Sequence, residues 1–389
     1  MDAVRRARPR ALRCPRAAAL LALLVIAPFA AGATAPTAEA GVAKSITVIP
    51  SQSDAQDPAQ MRALAREIDA GLGSRWVRLQ ALWANLEPAQ GAYSEQAFSS
   101  LDTLVDAFHA RGLKVMLTLS ATPDWASDRY WWSHPPTGYA DGPRPFYPVS
   151  TQALPAYADL AESLGRRYAG KVQAVEVWNE PNLWMFLYPQ RTATDPLYGV
   201  HAYLRMLKAF HKGLARVRTG MRVVAGTTGP IGLNDIYRTS PQRFARALKR
   251  AGAARYFDVY SHHPYTPGGS VYQAPDQPPN DPGTTVTLFN LRTLLTLFPS
   301  KPFYLSEYAY STRPNLLFGL SVSEPKQARY LKASFAMAKR HRQVRMLSWY
   351  LLRDSAPYDS RQETGVYTGL RRLDGSKKPA WYAFRHIRE

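Results

Sequence analysis

Val172-Gln173-Ala174-Val175-Glu176-Val177-Trp178 runs directly into Asn179-Glu180-Pro181-Asn182. The first seven residues are apolar and β-branched enough for a buried strand, and Pro181 stops it, because proline lacks the N–H that a ladder needs. Proline also keeps the residue before it out of the helical region. Glu180 is therefore expected at the carboxyl end of a strand. Outward from this stretch, seven more short β-rich runs are spaced along the chain: Ile46–Ile49, Trp76–Leu79, Lys114–Leu119, Arg222–Ala225, Phe257–Ser261, Phe303–Ser306 and Arg345–Trp349. Amphipathic helical patterns separate them, such as Phe98, Leu101, Leu104, Val105 and Phe108, or Tyr157, Leu160, Ala161, Leu164 and Tyr168. A third is Tyr203, Met206, Leu207, Phe210 and Leu214. Strand–helix alternation predicts a parallel sheet covered by helices. Eight repeats predict an α/β fold of the closed (β/α)8 TIM-barrel type rather than an open sheet.

Connection lengths place the working face. Gly112, Gly170, Gly220 and Gly252 follow helices and lead almost at once into the next strand, as expected for left-handed helix stops. The connections after strands are long: Ser120 to Ser150, Pro181 to Asp195, Tyr265 to Thr285 and Arg353 to Lys378. They are rich in Trp, Tyr, Pro and Gly. Long loops at the carboxyl ends of barrel strands are where such enzymes build their sites.

Residues 1–40 have another character. Arg5, Arg6, Arg8, Arg10, Arg13 and Arg16 precede an apolar run from Ala17 to Ala31, and Ala38-Glu39-Ala40 follows. These are the parts of a secretory signal, with an uncleaved anchor as the alternative. Residues 41–389 are then expected to form a single domain, secreted and without a second membrane segment. Cys14, the only cysteine, lies in the signal, so disulfide and thiolate chemistry are not expected in the mature chain. The net charge is +20. The basic residues are scattered over predicted helices rather than gathered into a tail, which predicts a solvated surface and no nucleic-acid partner. The charge still makes an acidic polysaccharide worth including in a screen. Nothing in the sequence sets the oligomeric state.

A second carboxylate resembles the first. Pro302-Phe303-Tyr304-Leu305-Ser306 ends in Glu307. A carboxylate closing an apolar strand is costly to bury unless it is paired or hydrogen-bonded. Two of them at one barrel mouth suit glycoside cleavage, in which one carboxyl protonates the leaving oxygen and the other attacks or positions water. The alternative is two structural carboxylates tied to Arg or backbone groups.

Trp178-Asn179-Glu180-Pro181-Asn182 resembles the fourth-strand signature of the clan A glycoside hydrolases, which include cellulases, β-xylosidases and iduronidases. The resemblance covers Ile46 to Trp381. It implies Glu180 as acid/base, Glu307 as nucleophile and Asn179 on the sugar 2-hydroxyl. It further implies a Tyr265 hydroxyl bonded to the nucleophile, a sugar or carboxylate contact for His263, and an Arg78 that steadies the nucleophile. For Arg78 a structural pair with Glu176 is also expected, and Glu87 is expected to hold a loop. Retention of configuration in the clan implies roughly 5–5.5 Å between the two carboxyl groups. Leu119-Ser120-Ala121-Thr122-Pro123-Asp124-Trp125 departs from the cellulases, which carry a His there, and looks more like the xylosidase and iduronidase side.

Aromatic faces can stack on sugar rings. Trp349, closing the eighth strand, is expected to do so, and Trp125 and Trp184 to form further subsites, together with Trp83, Trp131 and Trp132; packing is the alternative for each loop Trp. His262 is expected to pack. No His-Glu-x-x-His or similar spacing occurs, so no metal and no other cofactor is expected. The expected activity is retaining hydrolysis of a β-linked oligo- or polysaccharide. A non-catalytic carbohydrate-binding barrel and a transglycosylase using the same residues are the rivals.

Overall fold

The computed structural model describes residues 41–266, 274–314, 321–356 and 365–389. The expected signal, residues 1–40, lies outside them, as do residues 267–273 and 357–364 of two expected mouth loops. The described residues belong to one compact unit, 39–389. Among them no helix is long and apolar enough to cross a membrane.

The strands are β1 (Ala43–Thr47), β2 (Trp76–Leu82), β3 (Lys114–Ser120), β4 (Val172–Val177), β5 (Arg222–Thr228), β6 (Val259–His262), β7 (Phe303–Tyr308) and β8 (Val344–Tyr350). All pair in parallel in sequence order, and β8 closes on β1. The expected (β/α)8 barrel is therefore what the chain forms. β6 starts two residues later than expected, and β1 is displaced furthest from its expected span. Its register on β8 begins at Ala43, while Ile49 emerges at the mouth about half exposed.

The helices are α1 (Gln52–Ala55), α2 (Pro58–Arg66), α3 (Trp83–Leu86), α4 (Glu95–His109), α5 (Leu154–Arg167), α6 (Tyr198–Leu214), α7 (Pro241–Arg250), α8 (Arg292–Leu295), α9 (Glu324–Ala338) and α10 (Pro379–Arg385). Ser94 caps α4 and Ser240 caps α7, each accepting from a first-turn N–H. The glycines at positions 112, 170, 220 and 252 all have positive φ, as their expected role as helix stops requires. Gly213 permits the close packing of α5 on α6, since a Cβ there would sit 1.9 Å from the Ala158 carbonyl oxygen.

Alternation of side chains along each strand divides the barrel interior into layers. The lowest is apolar and takes one residue per strand: Ala43, Trp76, Met116, Ala174, Val224, Val259, Tyr304 and Met346. Two residues further along seven of the strands lie Ser45, Arg78, Thr118, Glu176, Ser261, Ser306 and Ser348, all fully buried. The polar layer sits directly under the mouth.

Candidate active site

Local backbone chemistry aims the two expected carboxylates inward. Past the end of β4, Trp178 and Glu180 both take positive φ, 75° and 37°, which is costly for residues with a Cβ. Neighbouring contacts hold the turn. The Glu180 N–H donates to the Thr227 carbonyl (3.0 Å), and the Asn182 side chain bridges the Gly229 N–H (2.7 Å) and the Thr239 carbonyl (2.9 Å). Gly229 is needed here, because a Cβ would stand 3.1 Å from the Glu180 carboxyl carbon and 2.7 Å from Leu183. On β7 the register shifts between Leu305 and Tyr308. Such a bulge re-aims side chains: Ser306 and Glu307 both serve the interior, and Tyr308 joins the outer core.

A single network results. Arg78 donates from Nε to Glu176 Oε2 (2.8 Å), from Nη1 to Glu307 Oε1 (2.6 Å) and from Nη2 to Asn179 Oδ1 (3.0 Å). Arg78 thus holds Glu307 and Glu176 at the same time. The Tyr265 hydroxyl donates to Glu307 Oε2 (3.0 Å). His263 Nδ1 lies 2.8 Å from Glu180 Oε1 and 3.6 Å from Glu307 Oε2, and its Nε2 lies 3.0 Å from Ser306 Oγ. Thr118 donates to Glu176 Oε2 (2.6 Å).

The two carboxyls meet different environments. Burial raises the Glu180 pKa, opposed by its hydrogen bond to His263 and reinforced by the nearby Glu307 charge. Glu307 has a guanidinium donor on one oxygen and a phenol donor on the other, an arrangement that suits the anion. Burial is the largest influence on Glu176 and would raise it, but Arg78, His263 and the Ser306 and Thr118 hydroxyls together outweigh it and hold the carboxyl below its usual range. Burial alone would lower His263, and the charges of Glu307 and Glu180 raise it instead.

Donor atoms of Glu180, His263 and Glu307 lie within 4.8 Å of one another. This is closer than the roughly 6.5–9.5 Å of an inverting pair and nearer the spacing of a retaining one. The three could converge on a cation, yet Arg78 and Tyr265 already occupy both Glu307 oxygens. A metal beside the guanidinium would also meet like charge. The donor set favours proton chemistry over metal binding.

The structure brings Arg78, Asn179, Glu180, His263, Tyr265 and Glu307 together. It does not place Trp349 with them. Trp349 is fully buried, points outward from the barrel, and donates from Nε1 to the Thr368 carbonyl (2.9 Å). Sugar stacking by Trp349 is thereby corrected: Ser348 and Tyr350 hold the inward phase of β8, and the half-buried Tyr350 is the aromatic beside the carboxylates. Its pKa is raised by burial and then by the Glu307 charge. Trp83 is likewise a core residue, accepted by Glu87 through its Nε1–H (2.8 Å) and not exposed. Glu87 also takes the Gly91 N–H (2.9 Å), closing the loop. Trp125 is half-buried, edge-on to Trp83, and donates to the Glu87 carbonyl. Trp184 belongs to an aromatic cluster with Trp131, Phe146, Tyr147 and Tyr188, and meets exposed Tyr139 edge-on. His262 packs as expected, between Thr228 Oγ1 (2.9 Å) and the Val286 carbonyl (3.0 Å), and burial pushes its pKa down to about 3.

Tyr350, Thr118, Ser261 and Ser306 were not singled out by the sequence. For Thr118, Ser261 and Ser306 the signal is a period of two, small polar residues alternating with apolar ones along buried strands.

A family model described as Beta-galactosidase, glycoside hydrolase family 42, matches residues 58–183, which take in Glu180 and stop before Glu307. No curated protein matches the chain by sequence. Among solved structures, a family 39 glycoside hydrolase from the gut symbiont Bacteroides cellulosilyticus WH2 is similar at 20% identity and TM-score 0.62, over 89% of this chain and 63% of that one. A family 5, subfamily 18 protein from Streptomyces cattleya, solved with GlcNAc, is similar at 18% identity and TM-score 0.62, over 89% and 79%. An exo-β-1,4-mannosidase from Opitutaceae bacterium strain TAV5 is similar at 18% identity and TM-score 0.57, over 89% and 58%. The chain thus spans less than two thirds of the first and third of these proteins. In its barrel and in its α2-to-β4 segment, this chain is similar to the TIM-barrel glycoside hydrolases of clan A.

Proposed function

We propose that this chain is a retaining glycoside hydrolase of β-linked glycans, with Glu180 as acid/base and Glu307 as nucleophile. The observation that carries the reading is the unlike pair: a carboxyl whose pKa burial raises, next to one that accepts from Arg78 on one oxygen and from Tyr265 on the other. In the first step a Glu307 oxygen bonds to the anomeric carbon, the glycosidic C–O bond breaks, and the Glu180 proton passes to the leaving oxygen. In the second, Glu180 removes a proton from water, the water oxygen bonds to the anomeric carbon, and Glu307 leaves as carboxylate.

Asn179 accepts from Arg78 through Oδ1, which leaves its Nδ2 donors for a sugar hydroxyl. A cleft of about 610 Å³ borders Tyr350 and runs away from the two carboxyls along Gln80, Leu352, Arg353 and Arg371; neither Glu180 nor Glu307 lines it. The names of the similar proteins make β-mannosides and β-galactosides the first sugars to try. Export follows from the Arg-led apolar leader, residues 1–40.

A screen of chromogenic β-glycosides tests the reading, with Glu307→Gln as control. Wild type should release chromophore from at least one, and the variant should lose on the order of 10⁴-fold in kcat or more while keeping its thermal midpoint. Undiminished turnover by a folded Glu307→Gln protein would contradict it.

A further inference from the structure

Behind His263 lies a chain of buried groups with one consistent proton direction. Glu176 is fully buried and accepts from Arg78 and Thr118 on Oε2, and from Ser261 Oγ on Oε1 (3.0 Å). An ionised carboxylate only accepts, and a serine has a single proton to give. Ser261 gives its proton to Glu176, so in its 2.6 Å contact with Ser306 it must accept. Ser306 has then given its own proton, and at 3.0 Å from His263 Nε2 the serine accepts and the imidazole donates. Nε2 therefore carries a hydrogen.

The other ring nitrogen faces carboxyls, Glu180 at 2.8 Å and Glu307 at 3.6 Å. A neutral ring with its hydrogen on Nε2 would turn a lone pair toward both. That contact is tolerable only if Glu180 places its proton on Oε1, away from a leaving group at Oε2. A ring protonated at both nitrogens donates to Oε1 and leaves Oε2 free to carry the acid proton.

We infer that the Glu176–Ser261–Ser306 chain holds His263 as an imidazolium, and that this cation stabilises the Glu180 carboxylate formed when the acid delivers its proton. The inference rests on Glu180 being the acid/base. The groups facing His263 are Arg78 from β2, Glu176 from β4 with Glu180 just past its end, Glu307 from β7, and Tyr265 and His262 from its own segment. Before attack, Arg78 and His263 balance Glu176 and Glu307, with Glu180 neutral. After attack, Glu307 is an ester and Glu180 has become the anion, so the same two cations again balance two carboxylates. The buried site remains neutral through the step, avoiding the cost of an unbalanced charge in a low-dielectric interior. The direction of the His263 shift, raised by Glu307 and Glu180 against burial, agrees. Ser261 and Ser306 are positioning residues here, acting through His263.

The test is a pH titration of the full chain carrying ¹⁵N-labelled histidine, with His263→Gln used to assign the His263 signals among eight histidines. The pH profile of kcat/KM on the accepted glycoside is measured alongside. Wild-type His263 should show both ring nitrogens protonated at pH 7. Ser306→Ala and Ser261→Ala should each lower its midpoint by about one pH unit, and the alkaline limb of kcat/KM should move down with it. Ser306→Thr, which keeps the hydroxyl, should restore both. A neutral His263 in wild type at pH 7, or a midpoint unmoved in whichever alanine variant folds, overturns the inference. If no glycoside is cleaved, the acid/base assignment fails, while the titration still decides the proton state.

Discussion

The lower and upper layers of the barrel interior lie two residues apart along the same strands and are built on opposite principles. Trp76, Met116, Ala174, Val259 and Met346 fill the base with apolar volume. Above them, Arg78, Thr118, Glu176, Ser261 and Ser306 fill it with hydrogen bonds and charge. The base stabilises the barrel by removing apolar surface from water. The upper layer gains little net stability, since desolvation of its ions offsets most of their attraction. Its arrangement is better explained by what it supports, the two carboxyls and the histidine at the mouth.

The comparison breaks most visibly at Arg78. Arg78→Met should leave Glu176 and Glu307 buried without their cation. It should lower stability by about 3–5 kcal/mol in chemical denaturation and remove nearly all turnover. Little change in either would show that the upper layer does not depend on charge pairing. Met116→Ala in the base should cost a similar or smaller amount, about 2–5 kcal/mol, but the folded enzyme should retain the wild-type pH profile. A displaced profile would mean that the two layers are coupled. A third test concerns His262, on the outer face of the barrel wall. Its folded pKa of about 3 lies below the 6.5 of an ordinary histidine. Native protein therefore holds stability above pH 6.5 that is lost as pH falls toward 3, where the ring charges. In His262→Asn, melting temperature should fall less steeply over that range; an unchanged slope would contradict the buried neutral ring. The smallest effect is expected at the rim. Trp184→Ala should raise KM for longer oligosaccharides by only a few-fold, with aryl glycosides unaffected.

Much of this was legible in the sequence because the relevant signals are local. Pro181 marks the end of β4, glycines mark the basal turns, and Glu180 and Glu307 each close an apolar run. Phase was harder to see. In Met346-Leu347-Ser348-Trp349-Tyr350 nearly every residue tolerates burial, so composition does not show which face turns inward, and Trp349 drew attention that belonged to Tyr350. The β7 bulge, which decides that Glu307 joins Ser306 inside, depends on pairing with β8 and leaves no mark in the chain. The Ser261–Ser306 contact likewise joins residues forty-five positions apart. Either serine alone is an ordinary strand residue.

The most direct test of the paired carboxylates is peptide mapping by mass spectrometry after reaction with a 2-deoxy-2-fluoro glycoside of the accepted sugar. The glycosyl mass should be found on the peptide containing Glu307 and at that residue. A cleaving enzyme whose adduct falls on any other side chain would contradict the account.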